Sequence, residues 1–126
     1  MVTTYARVFG VLFVLVGILG FVPQAAPDGM LLGLFAVNTM HNVVHILLGL
    51  WGLMAGGTAS GAVSYFKGIA VIYALLAVLG LIPATNDLFG LAPMHGNNVW
   101  LHGALALVSA FLGFGGSARR TTAQAA

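Results

Sequence analysis

Of the 126 residues, 60% are hydrophobic and only 5% are charged, whereas about 25% of the residues in an average soluble domain carry a charge. Four basic and two acidic side chains cannot cover the outside of a water-soluble protein of this length, so its apolar surface is expected to face lipid. The net charge of +2 is too small for a nucleic-acid-binding surface, and the absence of cysteine excludes disulfides and thiolate metal sites.

Four apolar stretches follow one another along the chain, at residues 5–22, 40–55, 65–82 and 98–114. Each is close to the lower limit of the roughly 17 to 25 residues that cross a bilayer. They end at Pro23, the Gly56-Gly57 pair, Pro83 and the Gly115-Gly116 pair, which are residue types that stop helices. We therefore predict an all-α, polytopic membrane protein with four transmembrane helices.

That protein is expected to be a single transmembrane domain over residues 1–126, in which residues 116–126 form a polar C-terminal tail. The apolar segment at residues 30–37 is too short to cross the bilayer alone. It is expected to lie at the interface or to enter as a half-helix that other parts of the protein cover.

The two halves of the chain resemble each other. Residues 5–23, shifted by sixty positions, fall on residues 65–83, and residues 31–50, shifted by fifty-seven, fall on residues 88–107. The matched pairs include Tyr5 with Tyr65, Arg7 with Lys67, Gly20 with Gly80, Pro23 with Pro83, Gly33 with Gly90 and His45 with His102. The pattern predicts a tandem duplication of a helical hairpin, with repeat 1 at about residues 5–56 and repeat 2 at about residues 65–115.

The duplication has two consequences for topology. Because each repeat crosses the membrane twice, both repeats enter from the same side and are parallel. Residues 5–22 also resemble a signal peptide, but their twin is an internal helix, so we expect them to be retained.

The basic residues predict the orientation. Arg7, Lys67, Arg119 and Arg120 all lie on the side that holds both termini. Because cytoplasmic loops carry an excess of Lys and Arg, we expect both termini to be cytoplasmic. The expected location is the bacterial inner (cytoplasmic) membrane or an internal photosynthetic membrane.

The four histidines lie toward the opposite side. His41 and His45 are four residues apart, and His95 and His102 are seven apart, so each pair is expected to share one face of a helix at about 100° per residue. His45 and His102 occupy equivalent places in the two repeats. The second and fourth helices are therefore expected to face each other with these polar side chains.

Asparagine and threonine accompany the histidines. Asn38, Thr39, Asn97 and Asn98 suit helix N-caps, where a short side-chain oxygen accepts a backbone N–H. Asn42 lies one turn after Asn38 on the second helix, and its side chain is expected either to cap that helix or to form a polar contact with another helix.

Two interpretations of the histidines are open. They could be structural, since imidazole and amide groups between membrane helices hydrogen-bond one another at about 0.6 to 2 kcal/mol each. Alternatively, His41, His45, His95 and His102 could bind a divalent metal, or His45 and His102 could be axial ligands of a haem. Asp28 and Asp87 are the only carboxylates that could orient the rings, and both lie in loops.

Small residues recur on the first two helices. Gly10, Gly17, Gly20, Gly49, Gly52 and Gly56 are spaced three to seven apart, which places them on shared faces and favours close helix packing. The chain contains no phosphate-binding loop, nucleophile elbow or paired carboxylates, so we do not expect an enzyme.

The string "LLGLFAVNTMHNVVHILLGLWGL" and its weaker echo "LFGLAPMHGNNVWLHGALAL" resemble a family of small bacterial four-helix membrane proteins that is catalogued only as a domain of unknown function. The resemblance covers residues 5–114 and is strongest in the pattern LFxVNxxHNxxHxxxG. The second repeat departs from this pattern with Pro93 and His95. The resemblance implies a fold and a membrane location, and no activity.

Two functions follow as hypotheses. The first is a non-enzymatic accessory or structural subunit, which would pack by its helix faces against other membrane subunits of a larger complex, bioenergetic or photosynthetic, within the lipid bilayer. The second is a histidine-based metal or haem protein with a site near the outer leaflet between the second and fourth helices. Transport of a solute is less favoured because four short helices leave little room for a pathway.

Overall fold

The structure is a computed structural model and describes residues 1–115. In this part of the chain it forms four α-helices: α1 (Val2–Leu19), α2 (Thr39–Ala55), α3 (Ala59–Leu81) and α4 (Asn97–Phe114). Three of them, α1, α3 and α4, are long and apolar enough to cross a membrane, and α2 is a shorter apolar helix of 17 residues. The prediction of an all-α membrane fold with four helices is confirmed. The predicted tail, with Arg119 and Arg120, lies outside the described residues.

Helices α1 and α3 begin earlier than their apolar stretches. Helix α3 starts after Thr58, whose hydroxyl accepts the N–H of Gly61 at 3.0 Å and caps the first turn. The first turns of both helices contain Thr or Ser, which the apolar pattern does not mark as helical. Capping chemistry, and not hydrophobicity, therefore decides where α3 begins.

The helices form two antiparallel hairpins that pack on each other. Helix α1 lies along α2, helix α3 lies along α4, and α3 contacts both α1 and α2. Helix α3 supplies most of the core: Tyr65, Phe66, Ile69 and Tyr73 are all buried, together with Phe13 of α1. The outward faces of the helices carry exposed apolar residues such as Leu15, Leu75, Leu107 and Phe111.

The segment at residues 30–37 is not a half-helix, which corrects that part of the expectation. It forms two short strands, β1 (Met30–Leu31) and β2 (Phe35–Ala36), that pair antiparallel. The turn between them contains Leu32 and Gly33 at φ values of 55° and 72°, a left-handed conformation that no α-helix continues. The equivalent residues of repeat 2, Phe89 and Gly90, adopt φ values of 58° and 85°. The two repeats therefore share this turn as well as their helices.

Candidate functional site

Three histidines lie side by side between α2 and α4. The ring centroids of His41 and His45, one helical turn apart on α2, are separated by 4.6 Å. The ring of His102 on α4 is stacked against that of His41 at 6.4 Å. All three are buried, with exposed fractions of 8%, 5% and 1%. The duplication thus brings residues that are far apart in sequence to one place near the start of α2.

Two aromatic residues surround these histidines. Tyr73 of α3 lies 5.0 Å from the ring of His102 and 6.5 Å from that of His45, and Phe13 of α1 lies 5.0 Å from His45. Tyr73 was not among the predicted site residues. The alignment of the repeats could have indicated it, because Tyr73 is the twin of Phe13 and is the only one of the pair with a hydroxyl.

The imidazoles are incompletely hydrogen-bonded. In the described chain, the Nδ1 atoms of His41, His45 and His102 are buried and have no hydrogen-bond partner. Most buried polar atoms in proteins do have one, and leaving such an atom unpaired costs about 1 to 3 kcal/mol. A neutral imidazole carries one N–H donor and one nitrogen acceptor, so each ring can offer either to a ligand.

A cavity of about 200 Å³ lies beside the three rings. Its wall comes from α2, α3, α4 and the loop before α4: Met40, His41, Val44, His45, Ile72, Tyr73, Leu76, Leu88, Leu91, Ala92, Met94 and His102. None of these lining residues is Asp, Glu, Lys or Arg. The surface of the cavity is therefore almost entirely apolar, although three imidazole rings and the Tyr73 side chain belong to its wall.

The fourth histidine does not join the other three, which corrects the prediction of a four-histidine set. His95 is exposed and does not line the cavity. Helix α4 begins at Asn97, and Gly96 before it has a φ of 67°, so His95 precedes the helix. The seven-residue spacing to His102 consequently does not place both rings on one helical face.

The arrangement of the histidines and the size of the cavity bear on whether a metal ion or a haem could bind there. Within residues 1–115, no group of three or more His, Cys, Asp or Glu residues is arranged to hold a metal ion. A cavity of about 150 Å³ is known to hold a benzene molecule, so about 200 Å³ accommodates one ring and is small for a haem. His45 and His102 do lie on facing helices, as the haem hypothesis requires.

The asparagines near the helix starts play different roles. Asn38 is the N-cap of α2, and its side-chain oxygen accepts the backbone N–H of His41 at 2.9 Å. Thr39 is already the first helical residue. Asn97 and Asn98, expected as N-caps, lie inside the first turn of α4 and donate to loop carbonyls of repeat 1, because Gly96 occupies the cap position. The asparagines of α4 therefore join the two repeats and do not cap a helix.

Two of these asparagine bonds cross between the repeats and end on equivalent carbonyls, although their donors are not equivalent positions. The Asn38 amide donates to the carbonyl of Leu91 at 2.9 Å, and the Asn97 amide donates to the carbonyl of Leu34 at 2.9 Å. Leu34 and Leu91 are equivalent positions of the two repeats. Each repeat thus holds the loop of the other, and the two loops that flank the histidines are fixed together.

Asn42 and the glycines bring α1 close to α2. A Cβ added at Gly20 would collide with the Asn42 side chain, and one added at Gly17 would lie 2.8 Å from the backbone oxygen of Asn42. Farther from the loops in the same hairpin, Gly10 and Gly49 lie against each other, so that a Cβ on either would contact the backbone oxygen of the other. Gly52 lies against the Tyr65 ring and Gly56 against the Arg7 stem. This close contact holds α2, and so His41 and His45, in a fixed position.

Comparison with known proteins gives a family and no activity. No curated protein and no solved structure matches the chain. One family model does match, over residues 3–115, and its description is Domain of unknown function (DUF4383). Because the match covers nearly all of the described chain, the protein belongs to the DUF4383 family of unknown function.

Proposed function

We propose that this protein is a non-enzymatic integral membrane protein that binds a small ligand through His41, His45 and His102. The observation that carries the proposal is the set of three buried imidazoles whose Nδ1 atoms have no partner in the described chain, beside a cavity of about 200 Å³. An apolar cavity with a few polar side chains in its wall is the usual form of a small-molecule site.

The competing interpretation is that the histidines only join helices. Interhelical hydrogen bonds through Nδ1 would require partners for these atoms, yet in residues 1–115 the three Nδ1 atoms meet none. An apolar residue in each place would avoid the cost of burying an unpaired nitrogen. Three unpaired nitrogens, each with its free-energy cost, lie close together here, which favours a ligand-binding role over a purely structural one.

The distribution of charged residues supports a position for the proposed site on one side of the membrane. The loops with Asp28 and Asp87 lie at the same end of the bundle as the start of α2, whereas Arg7 and Lys67 lie toward the other end of their helices. With the basic end on the cytoplasmic side, the site would lie near the outer leaflet. The bacterial inner membrane or an internal photosynthetic membrane would be its setting.

Purification from native membranes tests the proposal. The protein would be isolated in mild detergent and examined by visible absorption, by metal analysis and by mass spectrometry of an organic-solvent extract. We expect one ligand at near-equimolar amount, and its loss in a His41→Leu, His102→Leu double variant but not in His95→Leu, which alters the exposed histidine. A purified, folded protein with no haem, metal or small molecule above the level of the double variant would contradict the proposal.

The same preparation tests the accessory-subunit hypothesis, which stays a prediction. The exposed apolar residues of the outer faces, such as Leu107 and Phe111, suit a neighbouring subunit and lipid equally well. Co-purification of a stable partner in near-equimolar amount would support that hypothesis. A monodisperse protein without a partner would contradict it.

A further inference from the structure

A shallow groove of about 280 Å³ runs along the outer face of α1, toward the end of the bundle opposite to the histidines. Its lining is Thr4, Arg7, Val8, Val11 and Leu12. The polar residues come first along the helix and the apolar ones follow. Because an α-helix rises about 1.5 Å per residue, Leu12 lies about 7.5 Å farther than Arg7 toward the bilayer centre. The groove is therefore polar near the membrane surface and apolar deeper in.

The Arg7 guanidinium has no carboxylate side chain within its reach. Asp28 and Asp87 are the only acidic residues of the chain, and both lie in the loops at the opposite end. The stem of the Arg7 side chain lies against α2, because a Cβ added at Gly56 would be 2.7 Å from its Cγ. The base of this exposed side chain is thus held, while its charged end can bind a group from outside the protein.

The equivalent face of α3 in repeat 2 is covered by the protein itself. A Cβ added at Gly68 would lie 2.6 Å from Cη2 of Trp51, so the indole ring rests on this glycine. The residue equivalent to Gly68 in repeat 1 is Val8, which is 46% exposed. The residue equivalent to Trp51 is Val108, a much smaller side chain. The groove is therefore open on α1 and closed at its twin position on α3.

The two equivalent basic side chains also differ in their surroundings. The Lys67 ammonium lies 5.4 Å from the centroid of the Phe114 ring, a distance at which the face of the ring attracts a cation. The residue equivalent to Phe114 in repeat 1 is Gly57, which offers Arg7 no ring. Lys67 thus has a partner within the protein, whereas Arg7 lies at the polar end of an open groove.

These features match one class of membrane component. A guanidinium binds a phosphate group through two parallel N–H···O bonds, and the Thr4 hydroxyl can donate another. The apolar floor suits an acyl chain and not a water-soluble anion. A zwitterionic headgroup would bring an ammonium group that finds no carboxylate side chain at this end, so a headgroup with net negative charge is favoured. Anionic lipids attract basic residues at the cytoplasmic leaflet, where the positive-inside rule is expected to place this end.

We infer that the groove lined by Thr4, Arg7, Val8, Val11 and Leu12 binds one anionic phospholipid, with its phosphate at Arg7 and an acyl chain along Val11 and Leu12. The guanidinium provides selectivity for headgroup charge, and the apolar floor provides affinity that is common to all phospholipids. The inference concerns a different site from that of the proposed function and does not depend on it.

Titration with two matched lipids tests the inference on the full chain in a neutral detergent. Dioleoylphosphatidylglycerol and dioleoylphosphatidylcholine have the same acyl chains and differ in headgroup charge, and native mass spectrometry would count the bound molecules. We expect one phosphatidylglycerol to bind about fivefold more tightly than phosphatidylcholine, as one basic side chain near an anionic headgroup provides. Inorganic phosphate in large excess is expected not to displace it, because the acyl chain contributes to binding.

Matched variants at equivalent positions of the two repeats locate the bound lipid. We expect Arg7→Gln to bind the two lipids with equal affinity and Lys67→Gln to keep the preference. Val11→Trp is expected to weaken binding of both lipids, because the indole would occupy the space of the acyl chain, whereas Val71→Trp at the twin position on α3 leaves it unchanged. All four residues are exposed, and thermal unfolding would confirm that each variant is folded.

Four results would overturn the inference: equal affinity of the unaltered protein for the two lipids, an unchanged preference in Arg7→Gln, unchanged binding in Val11→Trp, or displacement of the lipid by inorganic phosphate. A preference lost equally in Lys67→Gln would mean a general attraction to the basic end and would overturn it too. The ligand of the histidine site is measured separately, so any of these results leaves the proposed function unchanged.

Discussion

Asn98 joins the two repeats through a single side chain. Its amide nitrogen donates to the carbonyl of Ala36 at 2.9 Å and to that of Pro93 at 3.2 Å. Ala36 and Pro93 are equivalent positions of the two repeats, so the amide lies where the pseudo-two-fold axis passes between the loops. The primary amide has two N–H donors on one nitrogen and can satisfy both carbonyls. The histidine at its twin position, His41, has no such pair of donors and is free for another role.

The Asn98 bonds lead to a prediction about stability. Asn98→Asp keeps the size of the side chain but replaces its donors with an acceptor that faces two carbonyl oxygens. We expect a loss of about 3 kcal/mol or more in the free energy of unfolding, because the new carboxylate would be buried without a hydrogen-bond donor and both carbonyls would lose theirs. Thermal or urea unfolding in micelles would measure it. Asn97→Asp is the control, since Asn97 is exposed and is expected to cost less than about 1 kcal/mol. Equal losses in both variants would contradict the role given to Asn98.

The unpaired imidazole nitrogens lead to the prediction that replacing one of them increases the stability of the ligand-free protein. His102→Leu replaces a buried nitrogen without a partner by carbon, so we expect the ligand-free protein to gain about 1 kcal/mol of unfolding free energy while ligand binding is lost. Unfolding of both proteins after ligand extraction would provide the comparison, with His95→Leu as the neutral control. A clear loss of stability in His102→Leu would mean that the ring is a structural element after all.

At the scale of the elements, glycine sets the distance between α1 and α2. A Cβ placed on Gly49 would lie 2.7 Å from the backbone oxygen of Gly10, and one placed on Gly10 would lie 2.7 Å from the backbone oxygen of Gly49. Without side chains between them, the two backbones contact directly. In the absence of a hydrophobic driving force between helices in lipid, such contact is a main source of association.

We therefore expect Gly49→Ala to push the two helices apart. The added methyl group would lie 2.6 Å from Cγ2 of the stiff Val14 side chain and 2.7 to 2.8 Å from backbone atoms of α1, so a loss of about 1 to 3 kcal/mol is expected. Gly103→Ala on α4 is the matched control, because a Cβ there would meet nothing within 4 Å. Thermal unfolding would separate the two variants, and a stable Gly49→Ala protein would show that the contact contributes little.

The elements also show what the sequence could and could not predict. Apolar length and the Pro and Gly stops were sufficient for four helices, since those follow from local composition. The shared helical face expected for His95 and His102 was wrong because it required the helix to extend back beyond residue 98, and the left-handed Gly96 does not allow that extension. Tyr73 was missed because a tyrosine in an apolar helix resembles an ordinary core residue until the packing of α3 is known.

The whole molecule is organised about its duplication. The repeats have the same left-handed turn, and each donates an asparagine bond to the other's loop, so both loops lie at one end of the bundle. The α2–α3 connection around Thr58 lies at the opposite end, where α3 begins. The two loops and the buried histidines therefore lie toward one end of the bundle, and Arg7 and Lys67 lie toward the other.

Labelling of single cysteines tests that arrangement in the membrane. The chain has no cysteine of its own, so each introduced thiol reports one position. We expect Asp28→Cys and Phe89→Cys, both exposed at the loop end, to react with a membrane-impermeant maleimide added outside intact cells. Ser60→Cys, exposed at the other end, is expected to react only after the membrane is opened. Reaction of Asp28→Cys and Phe89→Cys from opposite sides would contradict the parallel repeats, whereas reaction of Ser60→Cys alone in intact cells would keep the repeats and reverse the orientation.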